Sequence, residues 1–367
     1  MVVWLYVGFI AFVLAMLALD LGVLNRRAHV VGAREALAWS AGWIALGLLF
    51  AVLVYYAYEG QWLGLGRGVD PADGRINDGV TATTKYLTGY IVEKSLSLDN
   101  IFVIAMIFAF FGVPAMYQHR VLFWGILGAL VLRGVMIGVG AQLVAAFHWV
   151  LYIFGAFLVV TAVKMLWLSN EPSDPHRNPV VRLARRVLPV TDGFHGEHFL
   201  VRAGSAQSAE AATPGAPRHA DAAVAAARPG TLMLTPLALA LVTVETTDVV
   251  FAVDSIPAIF AITADPFLVF TSNVFAILGL RALYFALAAM IEKFRYLKVS
   301  LAIVLAYVGV KMLVSRHLHI PTTVSLVVIA AVLLGGATVS VMIARLRPPL
   351  EPVSATPLEQ PHVRGDS

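Results

Sequence analysis

Residues 85–111 read KYLTGYIVEKSLSLDNIFVIAMIFAFF, a largely apolar run of 27 residues that decides the fold. An α-helix needs about 20 such residues to cross the hydrocarbon core of a bilayer. The centre of the run nevertheless holds the ionisable residues Glu93, Lys94 and Asp99. A charge at this depth costs about 2.5 to 3.5 kcal/mol, so these side chains should face the interior of a helix bundle. The run therefore predicts a transmembrane helix with a polar inner face.

The rest of the chain has the composition of a membrane protein. Of its 367 residues, 59 % are hydrophobic and 13 % are charged, and the mean hydropathy is +0.82. A water-soluble fold of this size would not have these values. The net charge of +4 indicates basic cytoplasmic loops, and we expect no nucleic-acid partner. The absence of cysteine excludes disulfides and thiolate metal sites.

Hydropathy predicts an all-α polytopic membrane protein with nine transmembrane helices. These cover about residues 2–24, 36–58, 85–111, 121–144, 147–168, 232–263, 267–291, 299–314 and 323–344. Arg26, Arg27 and Arg34 follow the first span, whereas acidic residues predominate after the second. Basic loops remain in the cytoplasm, so we expect the N-terminus outside and the C-terminus inside.

The spans are expected to form one domain, residues 1–344, interrupted by a cytoplasmic loop at residues 169–230. Residues 178–202 mix Val and Leu with Arg, which favours a short amphipathic helix along the membrane face. Residues 205–230 are rich in Ala, Pro and Gly, and we expect them and the tail at residues 345–367 to be disordered.

Buried charges mark an internal repeat of three helices, relating predicted helices 3–5 to helices 6–8. The markers are Asp99, Arg133 and Lys164 in the first set, spaced by 34 and 31 residues, and Asp248, Arg281 and Lys311 in the second, spaced by 33 and 30. The two units would have inverted topology, which is typical of transporters with a substrate site near the midplane. An alternative alignment pairs Asp99 with Asp254, because each follows another acid by six residues.

The polar residues of the spans are candidates for binding a hard metal cation. The candidate ligands are Asp20, Glu93, Asp99, Asn100, Glu245, Asp248, Asp254 and Ser255. Oxygen ligands of this kind suit Mg²⁺, Ca²⁺ or Mn²⁺. The basic residues expected to pair with the acids are Lys94, Arg133, Lys164, Arg281 and Lys311. Carboxylates that release protons when metal binds could also couple metal efflux to proton entry.

A straight helix cannot bring all the acids of helix six together. Glu245 and Asp248 share a face, but Asp254 lies half a turn round from Glu245 and about 13.5 Å along the axis. Either helix six unwinds near Ser255 and Pro257, or the acids form successive stations along a path.

Three segments closely resemble the TerC family, specifically its Alx-like branch. They are ALDLGV at residues 18–23, EKSLSLDN at residues 93–100 and FAVDSIPAIFAIT at residues 251–263. The resemblance covers roughly residues 3–345. It implies a bacterial inner-membrane protein associated with tellurite resistance, Mn²⁺ efflux and metal supply to exported proteins. Carried over by position, the family acids fall on Asp20, Glu93, Asp99, Glu245, Asp248 and Asp254, with Asn100 and Ser255 as neutral neighbours.

These features together favour a Mn²⁺ exporter in the bacterial inner membrane, with protons as the counter-ion and no permanently bound cofactor. A Ca²⁺/H⁺ exchanger is a less favoured variant. The main alternative is a non-transporting membrane scaffold of a stress-resistance or secretion assembly. An enzyme is not expected, because the sequence has no HExxH helix and no Gly-rich Asp motif. Tellurite resistance would be indirect, because an oxyanion prefers helix N-termini and arginine clusters to carboxylates.

Overall fold

The computed structural model describes residues 2–19, 33–147, 149–167, 179–205, 222–288, 297–314 and 320–346. The protein is almost entirely α-helical over these residues. The helices are α1 Val2–Leu19, α2 Ala33–Glu59, α3 Gly79–Phe111, α4 Ala115–Ala146, α5 Val150–Trp167, α6 Pro179–Val187, α7 Ala222–Ala226, α8 Pro236–Phe260, α9 Pro266–Leu278, α10 Leu280–Ala288, α11 Leu297–Val314 and α12 Thr322–Leu346. The strands are β1 Val69–Asp70, β2 Arg75–Ile76, β3 Leu200–Arg202 and β4 Leu232–Leu234.

Seven segments in the described part of the chain are long and apolar enough to cross a membrane. Two shorter apolar helices, Val3–Leu19 and Val299–Val314, coincide with predicted spans one and eight. Each of the nine predicted segments is helical over most of its described residues, and the all-α polytopic fold is confirmed. The sixth helix begins later than predicted, because residues 232–234 form strand β4. Some helices extend beyond their predicted ends, because polar residues continue the helix past the apolar run.

Side-chain caps define the starts of three long helices. Asp78 accepts a hydrogen bond from the Thr81 amide at 2.7 Å and caps α3, which begins at Gly79, six residues before its predicted start. Thr235 accepts from the Ala238 amide and begins α8. Asp265 accepts from the amides of Phe267 and Leu268 and begins α9. Such caps satisfy backbone N–H groups that have no partner within the helix.

Predicted helices six and seven differ from expectation in where they break. The alternative in which helix six unwinds near Ser255 is wrong, because α8 continues to Phe260 with Pro257 inside it. The segment predicted as a single helix at residues 267–291 instead breaks at Gly279, where α9 ends and α10 begins. The break leaves carbonyl groups near Gly279 available to other partners.

Helix α3 lies at the centre of the bundle and contributes to each of the three large apolar clusters. Tyr86 packs with α1, α2 and α9, Val92 packs with α5, α8 and α11, and Ile101 packs with α4, α8 and α10. Helices α5 and α11 approach closely at Gly155 and Gly309, where a Cβ on either glycine would lie about 3 Å from the other's carbonyl oxygen. Small residues allow this close packing of helices.

The helix ends gather into two faces. One face joins the β1–β2 hairpin to the loop between α8 and α9, through a hydrogen bond from Thr263 to Asp70. The other joins the start of α4 to the long loop, through the ion pair of Arg120 with Glu197. This is the alternation that the loop charges predict, although which face is cytoplasmic stays a prediction.

The long loop is more ordered than expected in the parts that the structure describes. The amphipathic helix is confirmed as α6, which is shorter than the predicted segment and has Val181 buried. Residues 200–202 pair with residues 232–234 in a two-stranded sheet. Residues 222–230, expected to be disordered, form α7 and a turn, with Ala223 and Val224 packed beside Met233. Residues 206–221 and the tail from residue 347 lie outside the described residues.

Candidate metal-ion site in the helix bundle

A buried arginine joins two of the predicted carboxylates. Arg133 of α4 donates from Nε and Nη2 to the two oxygens of Asp248 at 3.0 and 2.8 Å. Its Nη1 donates to Glu93 Oε1 and, at 3.4 Å, to Ser255 Oγ. The side chains of Glu93 and Arg133 are 0 % and 2 % exposed. Glu93, Arg133 and Asp248 therefore form one cluster, called here the core site.

The core site lies deep in the bundle. Glu93, Arg133 and Asp248 each stand near the middle of their long helices, α3, α4 and α8. A cavity of about 30 Å³ adjoins Arg133 and Asp248. Its polar lining consists of Ser97, Asn100, Arg133, Thr247 and Asp248. The other lining residues are apolar. This volume suits about one or two water molecules, which could reach the polar groups on one side of the cavity.

Several oxygens around the core site have no hydrogen-bond partner among the described residues. They are Glu93 Oε2, Asn100 Oδ1 and Glu245 Oε2. A buried polar atom without a partner costs about 1 to 3 kcal/mol, and more when it carries charge. Unpaired carboxylate and amide oxygens are groups that a hard cation would satisfy. Of the three residues, Asn100 also lines the cavity.

Glu245 lies one helical turn before Asp248, as predicted from the helix period. A Cβ added at Gly128 of α4 would collide with the Glu245 carboxylate, so this glycine makes the space that the carboxylate occupies. Glu245 and Asp248 are close enough for electrostatic repulsion. The glycine is thus part of the site, and the sequence indicates it only through the Ile-Leu-Gly triplet at residues 126–128.

Lys94 uses the break in predicted helix seven. Its Nζ donates at 3.0 Å to the carbonyl oxygen of Ala276, one turn before the interruption. Gly279 makes this possible, because an added Cβ there would lie 2.9 Å from Lys94 Nζ. Lys94 was predicted to pair with acids, and in the structure it binds a backbone carbonyl beside Glu93.

The other predicted residues lie apart from this cluster or outside what can be described. Asp254 accepts a hydrogen bond from Thr161 of α5 at 3.2 Å, and Lys164 is its nearby cation. Lys311 is near Asp73 and Lys85 at the helix ends. Arg281 is buried in α10. Asp20 lies outside the described residues, and Asp99 is described only as part of the α3 backbone.

The described residues contain no group of three or more His, Asp or Glu side chains placed to hold a metal ion. Glu93 and Asp248 converge on Arg133, Glu245 lies beside Asp248, and Asp254 belongs to a separate station near α5. Of the two arrangements that the helix geometry permits, the acids follow the second, in which they are distributed along a continuous α8.

A second buried charge cluster was not predicted as a site. Lys85 of α3 is 0 % exposed and contacts Asp70, Asp73 and Asn77 at 2.8, 2.8 and 2.7 Å. The carboxylate of Asp70 also accepts hydrogen bonds from Thr263, Asn77 and the backbone amides of residues 72 and 264. This cluster, called here the cap, attaches the β1–β2 hairpin to α3 and to the α8–α9 loop. One feature of the sequence could have indicated the cap: Lys85 lies at the predicted start of a span, directly after a loop that contains Asp70 and Asp73.

Asp265 completes the cap beside Asp70. Its carboxylate accepts hydrogen bonds from the Tyr58 hydroxyl at 2.8 Å and from Asn77 at 3.4 Å. Burial raises the pKa of Asp265, and the nearby Asp70 charge raises it further. At Asp70 burial acts in the same upward direction, but the Lys85 ammonium and the hydrogen bonds from Lys85 and Thr263 hold its pKa below the usual range.

A cavity of about 130 Å³ borders the cap. Its charged lining consists of Asp73, Arg75 and Lys311. Two cationic side chains against one carboxylate make this space less favourable for a metal cation than the core site.

Comparison with known sequences identifies the class of protein. The family model described as the integral membrane protein TerC family matches residues 78–348. This match covers most of the chain, including every described residue of the core site. The chain belongs to the TerC family.

Relatives match over nearly the whole length. An uncharacterized membrane protein of Myxococcus xanthus is 46 % identical over 351 residues, which is 96 % of each chain. A protein of Escherichia coli strain K12, named as a candidate membrane-bound redox modulator, Alx, is 45 % identical over 90 % of this chain and 91 % of its own. An uncharacterized membrane protein of Rickettsia bellii is 37 % identical over 92 % of this chain and 97 % of its own. No solved structure matches the chain.

Proposed function

We propose that the protein is a transporter of divalent metal cations that exports Mn²⁺ from the cytoplasm through the bacterial inner membrane. The observation that carries the proposal is the core site. Glu93 and Asp248, from different long helices, meet at Arg133 at mid-helix depth, and a small cavity borders Arg133 and Asp248. Glu93 and the adjacent Glu245 each have an oxygen without a partner among the described residues. Ionisable groups at this depth are costly, and in membrane proteins they usually mark an ion pathway.

Protons are the proposed counter-ion. A carboxylate must be deprotonated to hold a metal ion, so metal binding and proton release are linked. Glu93 and Asp248 meet at Arg133, Glu245 lies one turn before Asp248, and Asp254 provides a further station along α8. No covalent chemistry and no permanent cofactor form part of this proposal.

The contacts of two glycines support an inverted repeat. Gly128 makes space for Glu245, and Gly279 makes space for Lys94. Both glycines end an Ile-Leu-Gly triplet, and the same offset of 151 residues relates Gly128 to Gly279 and Lys94 to Glu245. This offset is close to the 147 to 149 residues that relate the marker charges. A transporter with inverted repeats would place such matched contacts around a central site.

The test is transport by the purified, reconstituted protein. Vesicles that contain a pH-sensitive dye are exposed to external Mn²⁺, and metal uptake and the proton signal are recorded together. The wild type should take up Mn²⁺ while protons leave, and Asp248→Asn should abolish both signals. Glu197→Gln is the matched control, because Glu197 pairs with Arg120 at the half-exposed helix end. Absence of Mn²⁺ uptake by the wild type would contradict the proposal.

A non-transporting scaffold remains the alternative function. It predicts that Asp99→Asn, Asp248→Asn and Asp254→Asn each leave metal flux and manganese resistance of cells unchanged. The name of the Escherichia coli relative refers to redox modulation, but this chain contains no cysteine with which to exchange thiols. A redox effect of this protein would therefore act through the supply of a metal or through a partner.

A further inference from the structure

From the geometry of the core site, we infer that Arg133 is a built-in competitor of the transported cation: its guanidinium holds Glu93 and Asp248 when no metal is bound, and a divalent ion must displace it. The inference rests on the proposed transport function and adds the residue that sets its selectivity. Arg133 stands between Glu93 and Asp248, the position that a cation held by both acids would take.

The hydrogen bonds show that Arg133 blocks the site without satisfying it. Asp248 uses both oxygens for the guanidinium, whereas Glu93 uses one and leaves Oε2 unpaired. Glu245 beside them also leaves an oxygen unpaired. The guanidinium thus pairs with two carboxylates, while Glu245 lies beside Asp248 with no hydrogen bond to the guanidinium. A purely structural arginine would be expected to saturate its partners, because unpaired buried charge destabilises the fold.

The same arrangement favours divalent over monovalent ions. A guanidinium and Na⁺ carry the same charge, so Na⁺ gains little when it replaces a group that already binds in a bidentate fashion. A divalent ion interacts about twice as strongly with each carboxylate and can also use the unpaired oxygens of Glu93 and Glu245. Displacement of Arg133 therefore selects for charge as well as for oxygen ligands.

Release of the metal follows from the same competition. When the metal leaves, the guanidinium returns to Glu93 and Asp248 and prevents immediate rebinding. Without Arg133, the site should bind metal more tightly and turn over more slowly. Tighter binding combined with slower transport distinguishes a competitor from a group that only supports the fold, because loss of support would weaken both.

The experiment measures Mn²⁺ binding by electron paramagnetic resonance on purified wild type, Arg133→Gln and the control Arg120→Gln, together with uptake into vesicles. Arg120 is on the same helix but forms a half-exposed pair with Glu197. Arg133→Gln should bind Mn²⁺ about tenfold more tightly, transport it more slowly, and lose Mn²⁺ when Na⁺ is added in large excess. Arg120→Gln should behave as the wild type.

Unchanged or weaker Mn²⁺ binding by folded Arg133→Gln would overturn the inference. If that variant is not monodisperse, Arg133→Lys takes its place, because lysine keeps the charge but cannot bridge two carboxylates in the same way. Arg133→Lys should then bind Mn²⁺ more tightly than the wild type, and equal or weaker binding would again overturn the inference. A wild type that does not transport Mn²⁺ would instead contradict the proposed function, so the two failures are distinguishable.

Discussion

The core site and the cap are both buried clusters of acids around one cation, yet their hydrogen bonds differ. In the cap, Asp70 accepts hydrogen bonds from Lys85, Thr263, Asn77 and two backbone amides. In the core site, Glu93 and Glu245 each leave an oxygen unpaired among the described residues, and a cavity borders Arg133 and Asp248. A saturated network stabilises a fold, whereas an incomplete one is destabilising unless it binds something. The cap therefore holds the hairpin and helices together, and the core site is where a ligand is expected.

The largest expected effect is a loss of stability when the cap loses its cation. Lys85→Met leaves the buried carboxylate of Asp70 and its neighbour Asp73 without the ammonium group, which should cost about 3 to 5 kcal/mol. Thermal unfolding in detergent measures this cost. Arg75→Met in the exposed strand β2 is the control. Unchanged stability of Lys85→Met would show that the cap is not a structural lock.

The next effect falls on transport and not on the fold. Glu93→Gln keeps the shape of the side chain but removes one carboxylate of the core site. Mn²⁺ uptake should fall by about 100-fold, as expected when a group that holds a metal is removed. The unfolding temperature should change much less than in Lys85→Met. Equal transport rates in Glu93→Gln and the wild type would show that the core site, like the cap, has no part in transport.

A smaller effect is expected from filling the space around Glu245. A Cβ in Gly128→Ala would collide with the Glu245 carboxylate, so that carboxylate must move. Mn²⁺ affinity should fall by about tenfold, within the cost of a typical overpacked site. Gly138→Ala on the same helix has nothing within 4 Å of the added Cβ and is the matched control. Identical affinities in the two variants would show that Glu245 takes no part in binding.

The smallest effect concerns the pH dependence of stability. The pKa of Asp265 is raised in the folded protein, so the folded state binds more protons than the unfolded state between the unfolded value near 3.9 and the folded value. Stability should therefore fall as the pH rises through this interval. Asp265→Asn should reduce the fall, and unfolding temperatures at pH 4 and pH 7 measure it. An equal fall in stability between pH 4 and pH 7 in Asp265→Asn would show that Asp265 is not its cause. Asp70 has a lowered pKa in the folded protein, so the stability that it contributes is lost as the pH falls below this interval.

Much of the fold could be predicted from the sequence, because apolar runs of helix length specify transmembrane segments directly. The predicted grouping of Glu245 with Asp248 also followed from the helix period. The partners of these residues could not be predicted in this way. Arg133 and Asp248 are 115 residues apart, and Asp70 and Thr263 are 193 residues apart, so their contacts depend on how the helices pack.

The break at Gly279 and the cap were missed for related reasons. Gly279 lies within a continuous apolar run, and its role becomes visible only when Lys94 is seen to bind the carbonyl of Ala276. Asp70 and Asp73 were interpreted as loop charges that report topology, although they also pair with Lys85 at the start of the next span. Loop charge therefore predicts an orientation but does not predict this pairing.

The central claim is that the incomplete core site binds a hard divalent cation and the saturated cap does not. Anomalous diffraction from crystals soaked in Mn²⁺ tests it most directly. The account predicts a manganese peak beside Glu93, Glu245 and Asp248, with the Arg133 guanidinium displaced, and no peak among Asp70, Asp73 and Asp265. A peak at the cap with none at the core site would contradict it.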